Sequence, residues 1–265
     1  MTNKNIRLRA SSSERWINCP GSAQLEHAIP EIPSKYAEEG IMAHDVAATM
    51  LNYFKDKKQL EIFINVCNYS AYVHGLLIAA NDNDRGKFFL VYDTKTFFEK
   101  DKLVLIEHKV DFSHVMPGAY DATGTCDALI FDDAAKTLHI IDLKYGKGIK
   151  VEVENNTQLL LYAIGAINDF QFLYDIHNIR LHIVQPRMDN YQSQHLTIDE
   201  LEPWHSFFIE KSQLALSENA PRIPDVKICR FCRAKSICPE YQEFTKPFSI
   251  AEFDDLTLTT TNQEN

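Results

Sequence analysis

Hydrophobic positions recur along this chain with two different periods, and the change from one to the other divides it. Residues 13–28 read as one short helix ended by Pro30 and Pro33. From Lys35 to about Phe54, Ile41, Val46, Met50 and Phe54 fall at helical spacing, and a second, more apolar helix is predicted over 59–80. The polar run 81–87 predicts a loop. Beyond it the period shortens. Residues 102–112, 125–131 and 137–145 are short β-branched or aromatic runs separated by turn-like stretches, which predicts three successive strands. A helix is predicted over 155–170, begun by Asn155, Asn156 or Thr157, followed by a fourth strand over 179–187. A long amphipathic helix over 196–219 is capped near Thr197. A Cys-rich segment occupies 228–238, and the tail of Thr, Asn and acidic residues beyond Phe253 is expected to be disordered. No internal repeat is visible.

Composition narrows the class. The 265 residues are 45% apolar and 24% charged, enough chain and enough hydrophobic mass for a sizeable core, so a disordered or fibrous chain is excluded. Twenty-seven basic against 37 acidic residues leave a net charge of -10, which argues against a uniformly basic nucleic-acid coat. It does not exclude a nucleic-acid enzyme, because net charge says nothing of where charges sit. Local basic clusters exist: an N-terminal arm with Lys4, Arg7, Arg9 and Arg15, a group of Lys144, Lys147 and Lys150, and a stretch with Arg222, Lys227, Arg230, Arg233, Lys235 and Lys246. No run is apolar and long enough to span a bilayer, and the first residues lack the apolar stretch of a signal peptide, so a cytoplasmic protein without membrane attachment is expected.

The candidate chemistry sits at strand ends. Asp142 and Lys144 are separated by one residue at the end of the third strand, so both side chains point to one face. Asp127 lies fifteen residues earlier in a strand joined to it by a short turn, an antiparallel neighbour, so two carboxylates and one ammonium would converge at one sheet edge. Such oxygen ligands suit Mg²⁺ or Mn²⁺ bound together with a phosphate, and the lysine would hold an attacking water. On its own, Asp-x-Lys at a strand end is an ordinary solvated pair. The cysteines add a second centre. Cys229-x2-Cys232-x5-Cys238 lacks one thiolate of a four-sulfur site, and Cys19 is the best fourth ligand, because Cys67 lies in an apolar helical run and Cys126 in a strand. Sulfur ligation of this kind permits zinc or an iron–sulfur cluster.

Four elements occur in a telling order: Gly40-Ile41-Met42-Ala43-His44 on a helix, Gly124-Thr125-Cys126-Asp127, Ile141-Asp142-Leu143-Lys144, and Gln158-x3-Tyr162. Together they resemble the RecB-like branch of the PD-(D/E)XK nucleases over about residues 10 to 245. The resemblance implies an α/β fold, a restriction-endonuclease-like mixed central sheet flanked by helices, with an N-terminal helical region and a C-terminal Cys-rich segment. It implies a single nuclease domain over 1–245, with a helical part over about 35–85, a catalytic core over about 100–220, and a tail over 246–265. It also implies DNA as partner, and metal ligation by His44, Asp127, Asp142 and the Leu143 carbonyl. Lys144 would activate the water, and Gln158 and Tyr162, four apart on one helical face, would position the nucleic-acid backbone. Glu107, in the preceding strand, is a weaker candidate for a second metal. One cysteine before the core and three after it resemble the AddB-type and CRISPR-associated exonucleases, which implies a [4Fe–4S] cluster held by Cys19, Cys229, Cys232 and Cys238. The expected activity is DNA hydrolysis at ends or in single strands, as in small phage replication and recombination nucleases working with replication and recombination proteins. The competing expectation is a catalytically weak, iron–sulfur-stapled DNA-binding or assembly protein.

Overall fold

The computed structural model describes residues 5–32, 35–57 and 102–246. The helix expected over 59–80, the loop over 81–87, Cys67 and the tail beyond Phe253 lie outside the described residues. Among the described residues no helix is long and apolar enough to cross a membrane.

Five strands form one mixed sheet in chain order, β1 (Lys102–Asp111), β2 (Thr123–Asp132), β3 (Thr137–Leu143), β4 (Asn178–Gln185) and β5 (Asn190–Thr197). All neighbours are antiparallel except β3 and β4, which run parallel. A parallel pair needs a crossover, and α4 (Thr157–Phe170) supplies it. Asn156 caps that helix, its side chain accepting from the Gln158 and Leu159 N–H groups. Thr197 begins α5 (Ile198–Leu216) with a reciprocal capping box to Glu200. One face of the sheet packs under α4, α5 and the N-terminal segment, burying Trp16, Phe112, Phe131 and Phe208 among others. The opposite face is covered by α3 (Lys35–Lys57), whose Ala47 and Leu51 meet Val104, Ala128, Ile130, Ile141, Leu143 and Val184. The mixed sheet with flanking helices is therefore the expected architecture.

Three details differ from the expectations. The helix over 13–28 is two helices, α1 (Ser13–Asn18) and α2 (Ser22–His27), after a 3₁₀ turn at Ala10–Ser12. The break is at Cys19-Pro20-Gly21, since proline disfavours helical backbone at the residue before it and Cys19 leaves the helical region at φ -134°, ψ 78°. Gly21 is required there, because a Cβ would come within 2.6 Å of the Ala220 carbonyl oxygen. In α3, Ile41 is 56% exposed, and Ala43, Val46, Ala47 and Leu51 form the inward stripe instead. Finally, β5 is a strand that the hydrophobic pattern does not reveal, because its residues are mostly polar and, among the described residues, it pairs on one side only.

On the α3 face, His139 and His182 stack at 5.4 Å between centroids, with Nδ1 and Nε2 3.1 Å apart. Burial, then the Arg180 charge, lowers His139 to about 4, with Asp132 opposing and Lys102 adding to the drop. Burial, then His139 and Arg180, lowers His182 to about 3. Both folded values lie below the unfolded value near 6.5, so the unfolded chain takes up more protons. The stabilisation is complete above about pH 6.5 and is lost as pH falls toward the folded values, at about 1.4 kcal/mol per pH unit per group. Urea unfolding should show stability falling from about pH 6.5 toward about pH 4, with a shallower fall in a His139→Gln/His182→Gln variant. Equal pH slopes for the two proteins would remove this pair as the cause.

Candidate active site

The β2–β3 register ends at Ala128 opposite Ile141, which places Asp127 and Asp142 across from one another where the strands part. There the Asp127 side chain replaces the ladder. Its Oδ2 accepts the Leu143 N–H at 2.6 Å, and its Oδ1 lies 3.0 Å from His44 Nδ1. His44 shares the stripe of α3 that carries Ala47 and Leu51, so the helix delivers the imidazole to the sheet as part of its packing. The N–H and C=O of a strand residue face the same neighbour, so the Leu143 carbonyl is turned to this side as well.

Glu107 joins the group. His44, Glu107 and Asp127 each offer a ligand atom, and these lie within 4.8 Å of one another. The backbone explains the convergence. Leu103 and Leu105 of β1 pack into the large core, but past Glu107 it is His108, against Phe170, and Val110 that do so. In β2 the same slip occurs between Cys126 and Leu129. Alternation thus shifts by one place in both strands at facing positions, and Glu107 takes the left-handed backbone at φ 49°. Such a conformation costs about 1–2 kcal/mol for a non-glycine residue. The sequence signal for it is a glutamate that directly follows the apolar run Leu103–Ile106.

Burial is the largest influence on the Glu107 carboxyl and pushes it up, with the Asp127 charge adding to it. For His44 burial acts downward, yet the hydrogen bond and charge of Asp127, followed by Asp142 and Glu107, raise it above the ordinary histidine value. Three anions crowded on one imidazole are a surplus of negative charge, the condition that a divalent cation relieves.

Asp142 lies beside this group and is 2% exposed. Lys144 Nζ is 2.8 Å from its Oδ2, and Gln158 Nε2 donates to its Oδ1 at 2.7 Å. Gln158 Oε1 accepts from Lys144 Nζ at 2.8 Å, which closes a three-residue ring, and Gln158 Nε2 also reaches the Tyr162 hydroxyl at 3.1 Å. Burial holds the Asp142 carboxyl above the usual range, opposed by Lys144. Burial and then the Asp142 charge push the Tyr162 phenol well up. Gln158 therefore holds the Asp142–Lys144 pair, and Tyr162 buttresses Gln158. Gly124 makes room for Tyr162, since a Cβ there would come within 2.6 Å of Tyr162 Cε1 and 3.3 Å of Phe112 Cε1.

Among the described residues, the four cysteines outside the sheet, Cys19, Cys229, Cys232 and Cys238, are all buried free thiols. Burial raises the Cys19 thiol, the Ile223 N–H donated to its Sγ at 3.2 Å opposes this, and the charges of Cys229 and Cys238 add to the rise. Cys232 is raised by burial first, with Cys229 contributing. Residue 19 is thus an electrostatic neighbour of residues 229 and 238. Glu26 ties the same parts together: it pairs with Arg15 at 2.9 Å and accepts the Arg233 N–H at 2.8 Å. Cys126 is buried in the core, as expected. Of the basic clusters, Arg222 pairs with Glu240 at 3.2 Å, Lys150 with Glu152 at 3.4 Å, and Lys246 with Glu243.

The family described as "Protein of unknown function (DUF2800)" matches residues 6–265. A solved structure titled "Crystal structure of SSO0001" is similar at 14% identity and a TM-score of 0.31, covering 83% of this chain and 94% of that one.

The contact between Gly124 and Tyr162 can be tested directly. Gly124→Ala should overpack the site and lower the unfolding free energy by about 1–3 kcal/mol in chemical denaturation. A stability equal to the parent would show that the tyrosine ring has room to move.

Proposed function

We infer that this chain, which belongs to the DUF2800 family, is a divalent-metal-dependent DNA nuclease of the PD-(D/E)XK type. The observation that carries the reading is the meeting of the His44, Glu107 and Asp127 ligand atoms within 4.8 Å beside the ring of Asp142, Lys144 and Gln158. One nitrogen and two carboxylates, with Asp142 and the Leu143 carbonyl at the same edge, are a donor set for Mn²⁺ or Mg²⁺. A bound ion would polarise the scissile phosphate and lower the pKa of a water. The residues do the rest. His44, Glu107 and Asp127 hold the ion, Asp142 orients Lys144, and the Lys144 ammonium orients the attacking water and offsets charge on the phosphate oxygens. Gln158, with both polar atoms engaged inside the site, fixes Lys144 rather than the substrate.

The second element of the proposal is a [4Fe–4S] cluster on Cys19, Cys229, Cys232 and Cys238. Four buried thiols, two of them pushed up by burial first and by their cysteine neighbours in smaller part, are a set that a cationic centre would deprotonate and neutralise. Such a cluster would close a loop through the whole catalytic core. Action at DNA ends or in single strands, a phage-type replication or recombination role alongside such proteins, and a cytoplasmic location complete the reading.

On labelled linear and circular DNA, the parent should cleave with Mn²⁺ at least as well as with Mg²⁺, and EDTA should stop it. Calcium should bind without supporting turnover. Asp142→Asn and Lys144→Ala should each lower the rate by about 10² or more while circular dichroism stays native. Parental rates in either variant would refute the assigned site, and binding without cleavage by the parent would favour a DNA-binding protein.

Iron and sulfide analysis after anaerobic purification addresses the cluster. Cys→Ser at 19, 229, 232 or 238 should each lose iron and lower the melting temperature, while Cys126→Ser retains iron. A full iron complement in Cys19→Ser, or stoichiometric zinc without sulfide in the parent, would overturn the assignment.

A further inference from the structure

The segment before α1 alternates with a two-residue period. Ile6, Leu8 and Ala10 are buried in the core, whereas Arg7, Arg9 and Ser11 point outward. The Tyr120 N–H donates to the Ile6 carbonyl at 2.9 Å and pins the segment beside the turn that precedes β2. Arg7 and Arg9, two apart on extended backbone, are therefore separated by about 6.6 Å along the segment, and Ser11 follows them in the 3₁₀ turn. That separation is about twice the 3.4 Å rise per nucleotide of a stacked strand.

This row lines two cavities that share it. One, of about 270 Å³, is bounded by Arg7, Arg9, Lys109, Thr125, Gly124 and Tyr162. The other, of about 460 Å³, continues past Arg9 and Ser12 to Arg15, Glu26 and Arg233. Arg7, Arg9 and Ser11 belong to both walls, so the two make one groove. Its first end is Tyr162, whose hydroxyl accepts from Gln158, the residue that holds Asp142 and Lys144. Its far end is Arg233, one residue from Cys232.

The charge of the groove opposes that of the chain. Arg7, Arg9, Arg15, Lys109 and Arg233 line it against two carboxylates, Glu26 and Glu31, in a protein of net charge -10. Some of these cations are structural: Arg15 is held by the buried Glu26 and donates to the Phe231 carbonyl at 3.2 Å. Others are paired but exposed. Arg7 pairs with Asp121 at 2.6 Å, Lys109 with the same carboxylate at 3.6 Å and Arg9 with Glu31 at 2.7 Å, with the three basic side chains 41%, 65% and 43% exposed. Exposed pairs of this kind contribute little net stability, so phosphate oxygens can replace the carboxylates on the guanidinium forks. Cavities of about 270 and 460 Å³ are on the scale of small-ligand pockets, the size of a nucleotide unit rather than of an extended surface. The ring of Tyr120, exposed next to Asp121, offers a face on which an unpaired base can stack.

We propose that this groove carries the sugar–phosphate backbone of a single DNA strand between the Asp142–Lys144 pair and the cysteine segment, with Arg7, Arg9 and Lys109 as its phosphate contacts. The identity of the polyanion rests on the nuclease reading above. The groove itself rests on the row of side chains, the joined cavities and their charge.

The test is binding rather than cleavage. Fluorescence anisotropy of the full-length protein, in EDTA, with a fluorescein-labelled oligothymidylate of about sixteen nucleotides, would be followed over a range of salt concentrations. The Arg7→Gln/Arg9→Gln/Lys109→Gln variant should bind at least tenfold more weakly. Its slope of log affinity against log salt should fall by about two, since about 0.7 is lost per phosphate contact on a single strand. The Arg7→Lys/Arg9→Lys variant should keep the parental slope, and thermal melting should show each variant folded. Parental affinity and slope in the triple variant would overturn the groove, as would a parent that does not bind the oligonucleotide. A duplex of equal length bound as tightly would overturn the single-strand assignment. Polyglutamate competing as well as the oligonucleotide would point to an acidic protein partner instead and would likewise overturn it. If the parent binds the strand as described but cuts no DNA with Mn²⁺ or Mg²⁺, the nuclease reading fails while the groove stands.

Discussion

The site depends on one hydrogen bond, from the Leu143 N–H to the Asp127 carboxylate at 2.6 Å. It lies where the β2–β3 ladder stops, so a side chain does the work of a backbone carbonyl. Because that oxygen belongs to a carboxylate, the second oxygen is free to meet His44 across the gap. The bond thus holds two strands at the spacing of a sheet while opening between them a space that a continuous ladder would fill. Asp142, Lys144 and the Leu143 carbonyl reach the same edge because β3 is held there, not because each is placed independently.

This opening carries a local cost. Glu107 adopts a left-handed backbone, and Asp142 is buried with its charge matched by one ammonium and one amide. Strain and buried charge persist only where the surroundings over-determine them. Here the surroundings are two apolar layers, one against α4 and one against α3, and they meet the site from opposite sides. The packing that makes a sheet with helices on both faces is therefore also what keeps the geometry of this site from relaxing.

Much of this was legible in the sequence because it follows from short-range chemistry. The four apolar strands, the caps at Asn156 and Thr197, and the convergence of Asp127, Asp142 and Lys144 come from periods and spacings of a few residues. What was not legible depends on contacts between distant segments. The polar strand β5 exists because β4 offers an edge, and the break of the first helix at Cys19-Pro20-Gly21 is enforced by the close approach of residues 220–222. Glu107 gained its place only through a slip of alternation shared by two strands. The groove joins residues 7, 109 and 233, which no local pattern relates. In α3 the face turned to the sheet is set by Ala47 and Leu51, which leaves Ile41 on the exposed side although its spacing is helical.

The chain leaving Lys144 toward α4 is tied in an unusual way. The N–H groups of Val151, Val153 and Asn155 donate to the side-chain carbonyls of Gln185, Gln192 and Gln194, at 3.0–3.1 Å. Three glutamine amides on β4 and β5 thus read every second residue of the connection as a neighbouring strand would. Such a connection has a parity. An insertion or deletion of two residues moves it by one full step, whereas a change of one turns its amides away from the glutamines. Over evolutionary time the length of this segment should therefore drift in even numbers, an unusual rule for a stretch that has no regular secondary structure of its own.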